Sequence, residues 1–145
     1  MITEDAKRII REFPLGFIAT ITPDGRPAAS PKGTFLVVDA TTLAYGDIRS
    51  PGTRTNLWRV AMAEVVFVDP FRRKGVRIAG SAESVEVGHA RYNELHPRWV
   101  DTWGDLASRI KSLVLIHADT VKMVTTPPYD DGATEDELIA LYKSI

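Results

Sequence analysis

Short runs of β-branched and aromatic residues, each ended by turn-forming residues, recur along most of this 145-residue chain. The first run, Gly16–Ile21, is followed by Thr22-Pro23-Asp24-Gly25-Arg26-Pro27, a sequence typical of a hairpin turn. A second run begins near Ala28 and continues through Val38. Short connections pair successive strands antiparallel, so the pattern predicts an antiparallel meander. The remaining strand-like runs are Thr42–Asp47, Val65–Val68, Val76–Val85 and Leu113–Val124, the last with a bend predicted at His117-Ala118-Asp119.

Three regions show helical spacing of apolar residues instead. Thr3 to Glu12 predicts a short helix that Pro14 ends, and Gly88 to Ile110 predicts two short helices meeting at Pro97. The end of the chain predicts a helix that begins with a capping box, in which Thr134 precedes Glu137 by three residues. Tyr129, just before it, is expected either to reach the site or to seal the end of the barrel described next.

The predicted fold class is mainly β, a six-stranded antiparallel barrel with flanking helices that forms a single domain over residues 1–145. Antiparallel sheets of this size often close on themselves, because closure removes the unpaired edges. An open α+β sandwich is the alternative.

Composition excludes several classes of function. The chain has no cysteine, so it has no disulfide, thiol nucleophile or zinc–thiolate site. Its 18 Lys and Arg against 19 Asp and Glu leave no net positive field, so we expect no nucleic-acid partner. Apolar runs are strand-sized, so we expect no membrane span and a cytoplasmic location. The three histidines have no ligand spacing, and no metal site is predicted: His89, His96 and His117.

An arginine-rich turn and helix start follows the third strand-like run. Between Asp47 and Glu64 the chain carries Arg49, Arg54 and Arg59 and no acidic residue. Free N–H groups in a helix's first turn, the positive end of the helix dipole and nearby guanidinium groups together suit a phosphate. The other interpretation is an ordinary helix start, in which Ser50-Pro51 is an N-cap serine and a first-turn proline.

The second strand-like run contains Ser30-Pro31-Lys32-Gly33, which is unusual within a strand. Proline cannot donate to a neighbouring strand, and glycine leaves one face bare. Two interpretations remain open from these residues alone. One is an edge strand that proline and lysine protect from aggregation, and the other is a wall against which a flat ligand lies.

Taken together and in this order, these segments resemble the FMN-binding split-barrel superfamily related to pyridoxamine 5'-phosphate oxidase. The resemblance covers about Ala6 to Tyr129 and rests on the joint register of several moderately specific motifs. It implies that the second strand lines the flavin and its ribityl chain, that Gly46 and Asp47 contact the flavin, and that Thr53 and Arg54 hold the phosphate. The implied cofactor-binding set is Ser30, Pro31, Lys32, Gly33, Gly46, Asp47, Arg49, Ser50, Thr53, Arg54, Thr55 and Asn56.

Two departures from the family pattern qualify what the resemblance implies. Thr55 stands where oxidase members tend to have lysine, so the phosphate site lacks one charge and FMN affinity is expected to be weaker. The tail from Asp130 is acidic and lacks the basic segment that holds pyridoxal phosphate, so vitamin B6 oxidation is not predicted.

The resemblance implies an FMN-dependent oxidoreductase acting on an unknown small substrate, with no catalytic residue assigned and with NAD(P)H as one conceivable electron donor. Two alternatives remain: a flavin-binding or carrier protein without turnover, and a member that binds the deazaflavin F420 or haem instead. The resemblance also implies a homodimer with the cofactor at the interface.

Trp99 and Trp103 are expected either to cover the flavin or to pack in the core. Arg72-Arg73-Lys74 is predicted to be a solvated turn.

Overall fold

The computed structural model describes residues 1–145 and contains seven strands and five α-helices. The strands are β1 Gly16–Ile21, β2 Pro27–Lys32, β3 Phe35–Asp39, β4 Thr42–Asp47, β5 Met62–Asp69, β6 Lys74–Glu86 and β7 Ser112–Val124. The helices are α1 Glu4–Glu12, α2 Pro51–Arg59, α3 Ala90–Trp103, α4 Pro127–Asp130 and α5 Glu135–Lys143, and a 3₁₀ helix, Gly104–Arg109, follows α3. The mainly β class with flanking helices is confirmed. None of the helices combines the length and the apolar character that crossing a membrane requires.

All seven strands belong to one antiparallel sheet in the order β2-β1-β5-β6-β7-β4-β3. Its two outermost strands, β2 and β3, are consecutive in the chain and are separated only by Gly33 and Thr34. Three Cα–Cα steps span at most about 11 Å, so the two edges of the sheet meet at this end. The sheet therefore curls into a barrel that is split elsewhere, and the predicted split-barrel fold is confirmed.

The structure has seven strands where six are predicted, because the single run predicted from Ala28 to Val38 forms two strands, β2 and β3. Lys32 pairs with Gly16 of β1, whereas Phe35 pairs with Tyr45 of β4, so the chain changes partner between them. A run of strand-forming residues does not reveal such a change, because exchanging the neighbouring strand leaves the local backbone extended.

The predicted bend in the last strand is a bulge. The pairing of β6 with β7 shifts between Ala79, opposite Thr120, and Gly80, opposite Ala118, which leaves Asp119 as the extra residue. A Cβ on Gly80 would lie 1.8 Å from the carbonyl oxygen of His117, so only glycine fits here. The bend predicted at residues 117–119 is thus confirmed.

Both terminal helices begin at a threonine N-cap, and the cap predicted at Thr134 is confirmed. The Thr3 hydroxyl accepts from the N–H of Ala6 at 3.2 Å, and the Thr134 hydroxyl accepts from the N–H of Glu137 at 3.2 Å. Helix α1 buries one face in the barrel core, and α3 covers the outside of β4, β6 and β7. The largest buried side chains of the barrel core are Phe35, Tyr45, Phe67, Ile9, Ile10, Ile18, Leu43 and Ile78.

Helix α3 continues through Pro97, so the prediction of two short helices was wrong. Proline removes one backbone N–H, and the burial of Leu95 and Trp99 on either side of it outweighs that loss. The indole N–H of Trp99 donates to the carbonyl oxygen of Thr34 at 2.8 Å, inside the core. Trp99 therefore packs as a core residue, which decides between its two interpretations.

The turn that contains Arg72-Arg73-Lys74 is not simply solvated, which corrects that prediction. Glu135 at the start of α5 accepts from Lys74 at 2.8 Å and pairs with Arg72 at 3.3 Å. The Arg73 guanidinium lies 3.6 Å from the ring centroid of Tyr142. Tyr129 donates to the carbonyl oxygen of Arg72 at 2.6 Å. The turn thus anchors the C-terminal segment, and Tyr129 packs beside this turn.

Candidate functional site

The start of helix α2 presents free hydrogen-bond donors to solvent. Ser50 is the N-cap residue, but its side chain makes no capping hydrogen bond. Pro51 has no N–H, and the N–H groups of Gly52 and Thr53 have no acceptor in the structure. Unpaired donors and the positive end of the helix dipole therefore remain available to an anion.

Lys32 connects strand β2 to this helix start. Its ammonium group donates to the Ser50 hydroxyl at 2.6 Å and to the Ser30 hydroxyl at 3.0 Å. Burial lowers the pKa of Lys32, and attraction to Asp47 partly opposes that effect. The tertiary structure thus brings together three predicted site residues from two distant segments, with a partly desolvated positive charge between them.

Arg54 lies across the end of the barrel between two carboxylates. Its Nε is 3.6 Å from Asp47, and one terminal nitrogen is 3.5 Å from Glu86. Asp47 is buried, and its Oδ1 has no hydrogen-bond partner. Asp47 and Glu86 both pair with Ser112 of β7, so the two carboxylates lie in one row across three strands. Arg54 is therefore positioned by the sheet and remains half-exposed on its outer side.

A cavity of about 410 Å³ opens beside Arg54 and the start of α2. Guanidinium and ammonium groups dominate its charge, and one of them, Lys111, was not singled out from the sequence. The signal for it is the pair of basic residues, Arg109 and Lys111, immediately before the last strand. The lining residues are Asp47, Ile48, Arg49, Ser50, Pro51, Arg54, Thr55 and Lys111.

Helix periodicity divides the predicted phosphate residues between two faces of α2. Arg54 and Thr55 line the cavity, whereas Thr53 and Asn56 are buried against the barrel. The Asn56 amide donates to the Thr20 hydroxyl at 3.0 Å, which fixes the helix on β1. Thr53 therefore offers its backbone N–H at the helix start, while Asn56 has a structural partner.

Strand periodicity divides the residues of β2 in the same way. Pro31 pairs with Phe17 on the outer face, opposite to the side that Lys32 occupies. A methyl group added at Gly33 would contact nothing within 4 Å, so packing does not require glycine there. At Gly46 the added Cβ would lie 2.5 Å from Ile110, so this glycine is explained by packing.

The model of the pyridoxamine 5'-phosphate oxidase family matches residues 2–126 of the chain. The chain belongs to this family. No curated protein sequence matches it.

Solved structures of the same fold resemble this family member closely. HupZ from Group A Streptococcus is 27% identical with a TM-score of 0.75, over 87% of this chain and 96% of that one. A candidate pyridoxamine 5'-phosphate oxidase from Lactobacillus delbrueckii is 22% identical with a TM-score of 0.69, covering 83% and 92%. An FMN-binding protein from Syntrophomonas wolfei is 11% identical with a TM-score of 0.69, covering 87% and 88%. Likenesses below a quarter identity show the fold alone.

The same fold also occurs in an F420 reductase and in HutZ, the haem storage protein of Vibrio cholerae, at 16% and 15% identity. Proteins similar to this family member therefore bind different cofactors.

The polar groups of the site suit a phosphate ester such as FMN. Arg54, Arg49 and Lys111 supply charged donors, and the first turn of α2 supplies neutral ones. Thr55 supplies no charge where the family pattern has lysine, and Lys111 brings a positive charge to the same cavity from a different segment. The backbone at Gly33, next to Lys32, is open, since a Cβ there would meet nothing within 4 Å, and an open backbone suits a flat ring system.

Proposed function

We propose that the protein binds FMN and acts as an FMN-dependent oxidoreductase on a small substrate in the cytoplasm. The observation that carries this proposal is the junction of Lys32, Ser50 and Arg54 at the open start of α2, beside a cavity with cationic walls. Family membership supports it, because the family's name describes an oxidase.

In this proposal the residues of the site divide the work. Arg54 and the N–H groups of Gly52 and Thr53 bind the phosphate, and Arg49 and Lys111 balance its charge. Lys32 holds a positive charge near the ring, and its hydrogen bonds to Ser30 and Ser50 fix the position of the ammonium group. FMN, when bound, supplies hydride or single-electron transfer. The protein contributes orientation and electrostatics.

We further propose a homodimer with the cofactor at the interface. The outer face of β1, β2 and β5 exposes apolar side chains on three adjacent strands, which we call the outer apolar face. Phe17 and Met62 are each 49% exposed and Ile21 is 41% exposed. A face of this kind on a soluble protein indicates an interaction site. Its apolar members are Phe17, Ala19, Ile21, Pro27, Ala29, Pro31, Met62 and Val66, and Glu64, opposite Ala19, is a charged residue on the same face.

FMN titration of the purified protein, followed by quenching of flavin fluorescence, tests the binding proposal. Arg54→Gln should weaken FMN binding about 10- to 100-fold, because a charge-assisted contact to the phosphate is lost. Arg59→Gln is the matched control, since Arg59 lies on the same helix, makes no ion pair and does not line the cavity beside Arg54. Equal FMN affinities in the two variants would show that the phosphate binds elsewhere.

Titration with riboflavin separates the contribution of the phosphate to binding from that of the ring. Riboflavin lacks the phosphate, so Arg54→Gln should change riboflavin affinity far less than FMN affinity.

The absorbance spectrum of the loaded protein distinguishes the cofactors. Flavin bands support FMN, whereas a Soret band from bound haem, or selective binding of F420, would replace FMN in the proposal.

NAD(P)H consumption with a panel of electron acceptors tests turnover. FMN-dependent consumption supports an oxidoreductase. Tight FMN binding without consumption of NADH or NADPH by any acceptor would favour the carrier alternative.

A further inference from the structure

An apolar cavity, which we call the α1–β3 cavity, lies between helix α1, the edge strand β3 and the end of helix α3. Its volume is about 540 Å³, within the range of about 300–1,000 Å³ that is usual for small-molecule sites. Ile10, Phe35, Val37 and Trp103 form part of its apolar wall. It shares no lining residue with the cavity beside Arg54, so a ligand here is separate from the FMN of the proposed function.

Hydrogen bonds hold the walls of the α1–β3 cavity in place. Just after α1, the carbonyl oxygen of Pro14 accepts from the N–H of Phe35 at 3.4 Å, and just before α1 the N–H of Ile2 donates to the carbonyl oxygen of Ala40 at 2.8 Å. These two bonds tie α1 to both ends of β3. Helix α3 is tied to the same strand region through the indole of Trp99. The cavity is therefore enclosed by anchored elements and is present before a ligand binds.

One cation at the α1–β3 cavity has no counter-ion. Lys7 and Arg11 are four residues apart on α1 and both line the cavity. Lys7 pairs with exposed Glu4 at 3.2 Å, whereas Arg11, on the last turn of α1, forms no ion pair. The one acidic lining residue is Asp39, at the far end of β3, and its carboxylate accepts from the N–H of Thr41 at 3.0 Å. The cavity thus offers one free guanidinium beside an apolar wall.

We propose that the α1–β3 cavity binds a monocarboxylic acid with an apolar body. Burial of that body against the apolar wall is favourable, and the guanidinium of Arg11 suits a carboxylate, which it can bind through two parallel hydrogen bonds. One free cation matches a single negative charge, and the carboxylate of Asp39 disfavours a ligand with more charge, such as a phosphate ester. The apolar body can be an aliphatic chain or an aromatic ring, which share this chemistry.

Isothermal titration with decanoate, below the concentration at which it forms micelles, tests the site. FMN-free and FMN-saturated protein should each bind one decanoate per chain. Arg11→Glu should weaken this binding at least about tenfold, because a like charge replaces the guanidinium. Arg59→Glu is the control. It makes the same charge change on α2 at a residue that does not line this cavity, so decanoate affinity should stay unchanged.

Thr102→Trp tests the position of the ligand without a change of charge. Thr102 is an exposed lining residue near the end of α3, so a tryptophan there should fill part of the cavity and weaken decanoate binding at least about tenfold. Asp101→Trp places the same side chain on the neighbouring exposed residue, which does not line the cavity, and should have no such effect. Titration with 2-naphthoate distinguishes the two kinds of apolar body, since an aliphatic site favours decanoate and an aromatic site favours 2-naphthoate.

The outcomes separate this inference from the proposed function. Absence of binding by both acids, or equal affinities in Arg11→Glu and Arg59→Glu, would overturn the inference and leave the FMN proposal standing. Equal affinities in Thr102→Trp and Asp101→Trp, or acetate binding as tightly as decanoate, would also overturn it. Binding that depends on Arg11 in a protein that does not bind FMN would overturn the proposed function and support the α1–β3 site.

Discussion

The ammonium group of Lys32 is partly buried, and burial disfavours its charged form. The charge of the site therefore depends on pH. Two serine hydroxyls accept its hydrogen bonds, and Asp47 is the nearby carboxylate that favours the charged form. Burial is the larger effect, so the pKa of Lys32 lies below its ordinary value of 10.5. A bound anion would raise this pKa again, because it stabilises the protonated amine.

FMN affinity should therefore fall as pH rises through the lowered pKa of Lys32, at a pH below 10.5. The FMN phosphate is fully ionised above about pH 7.5, so its own titration does not contribute there. Lys32→Arg should keep its affinity to higher pH, because a guanidinium stays charged. The measurement is FMN affinity between neutral and alkaline pH for both proteins, and superimposable profiles would contradict the prediction.

Gly46 and Gly33 provide a matched pair for testing whether core packing requires a glycine at each position. Gly46→Ala should cost about 1–3 kcal/mol of the free energy of unfolding, because its Cβ would overlap buried Ile110. Gly33→Ala should change that free energy by less than about 1 kcal/mol, since its Cβ meets nothing. Urea denaturation measures both, and equal losses would show that the packing around Ile110 relaxes freely.

At the scale of elements, α5 is joined to the barrel through the turn before β6. The family match ends at residue 126, so the helix lies beyond it. Glu135 is the main ionic connection between α5 and the turn before β6. The hydrogen bond from Lys74 lowers the pKa of Glu135. The connection is therefore present above the ordinary pKa of 4.5 and is lost as pH falls through the lowered value.

Glu135→Gln should loosen α5 without unfolding the barrel. Partly exposed ion pairs contribute about 0.5–1 kcal/mol, which corresponds to a several-fold faster amide exchange within α5. Asp136→Asn is the control, because Asp136 lies in the same first turn and makes no ion pair. Hydrogen exchange of residues 127–145 is the measurement. Similar exchange in the two variants would mean that other contacts, such as the Arg73–Tyr142 pair, hold the helix.

At the scale of the whole molecule, the outer apolar face stays exposed to water in a single chain. Phe17 lies at its centre, between Pro31 of β2 and Val66 of β5. Phe17→Glu should convert the proposed dimer to a monomer, because burying a carboxylate in an apolar contact is unfavourable. Leu141→Glu alters an equally exposed residue on α5 and should leave the dimer intact. Sedimentation velocity at several concentrations distinguishes these outcomes.

The same variant tests where the cofactor lies. If the cofactor is at the interface, Phe17→Glu should also weaken FMN binding, and raising the protein concentration should partly restore it. A monomeric Phe17→Glu protein with wild-type FMN affinity would contradict the interfacial position, and a wild-type protein that sediments as a monomer would contradict the dimer itself.

Local signals were sufficient for much of the fold. Thr134 acts as the predicted cap, the Asp24-Gly25 turn joins β1 to β2, and the bend at residues 117–119 is present. Each depends on residues within a few positions of each other. The helix through Pro97 was missed because its continuity depends on the distant core that buries Trp99.

The candidate site divides in a similar way. The helix start at Ser50-Pro51 and the basic character of the segment after Asp47 were visible in the sequence, because capping and charge are local properties. The contributions of Lys111 and Glu86 were not visible. Each reaches the site only because the start of β7 pairs with the end of β4 on one side and with the end of β6 on the other, and these pairings join residues far apart in the chain.

The sequence by itself determined the fold class, most of the strands and the family, because these depend on periodicity and motif order. Only the tertiary structure decided which side of each element faces the site and which cations gather there. Closure of the barrel brings Lys32 to Ser50, and burial of Ile110 against Gly46 sets Arg109 and Lys111 beside Arg49. These neighbours are chosen by long-range strand pairing and core packing, which short-range sequence patterns do not encode.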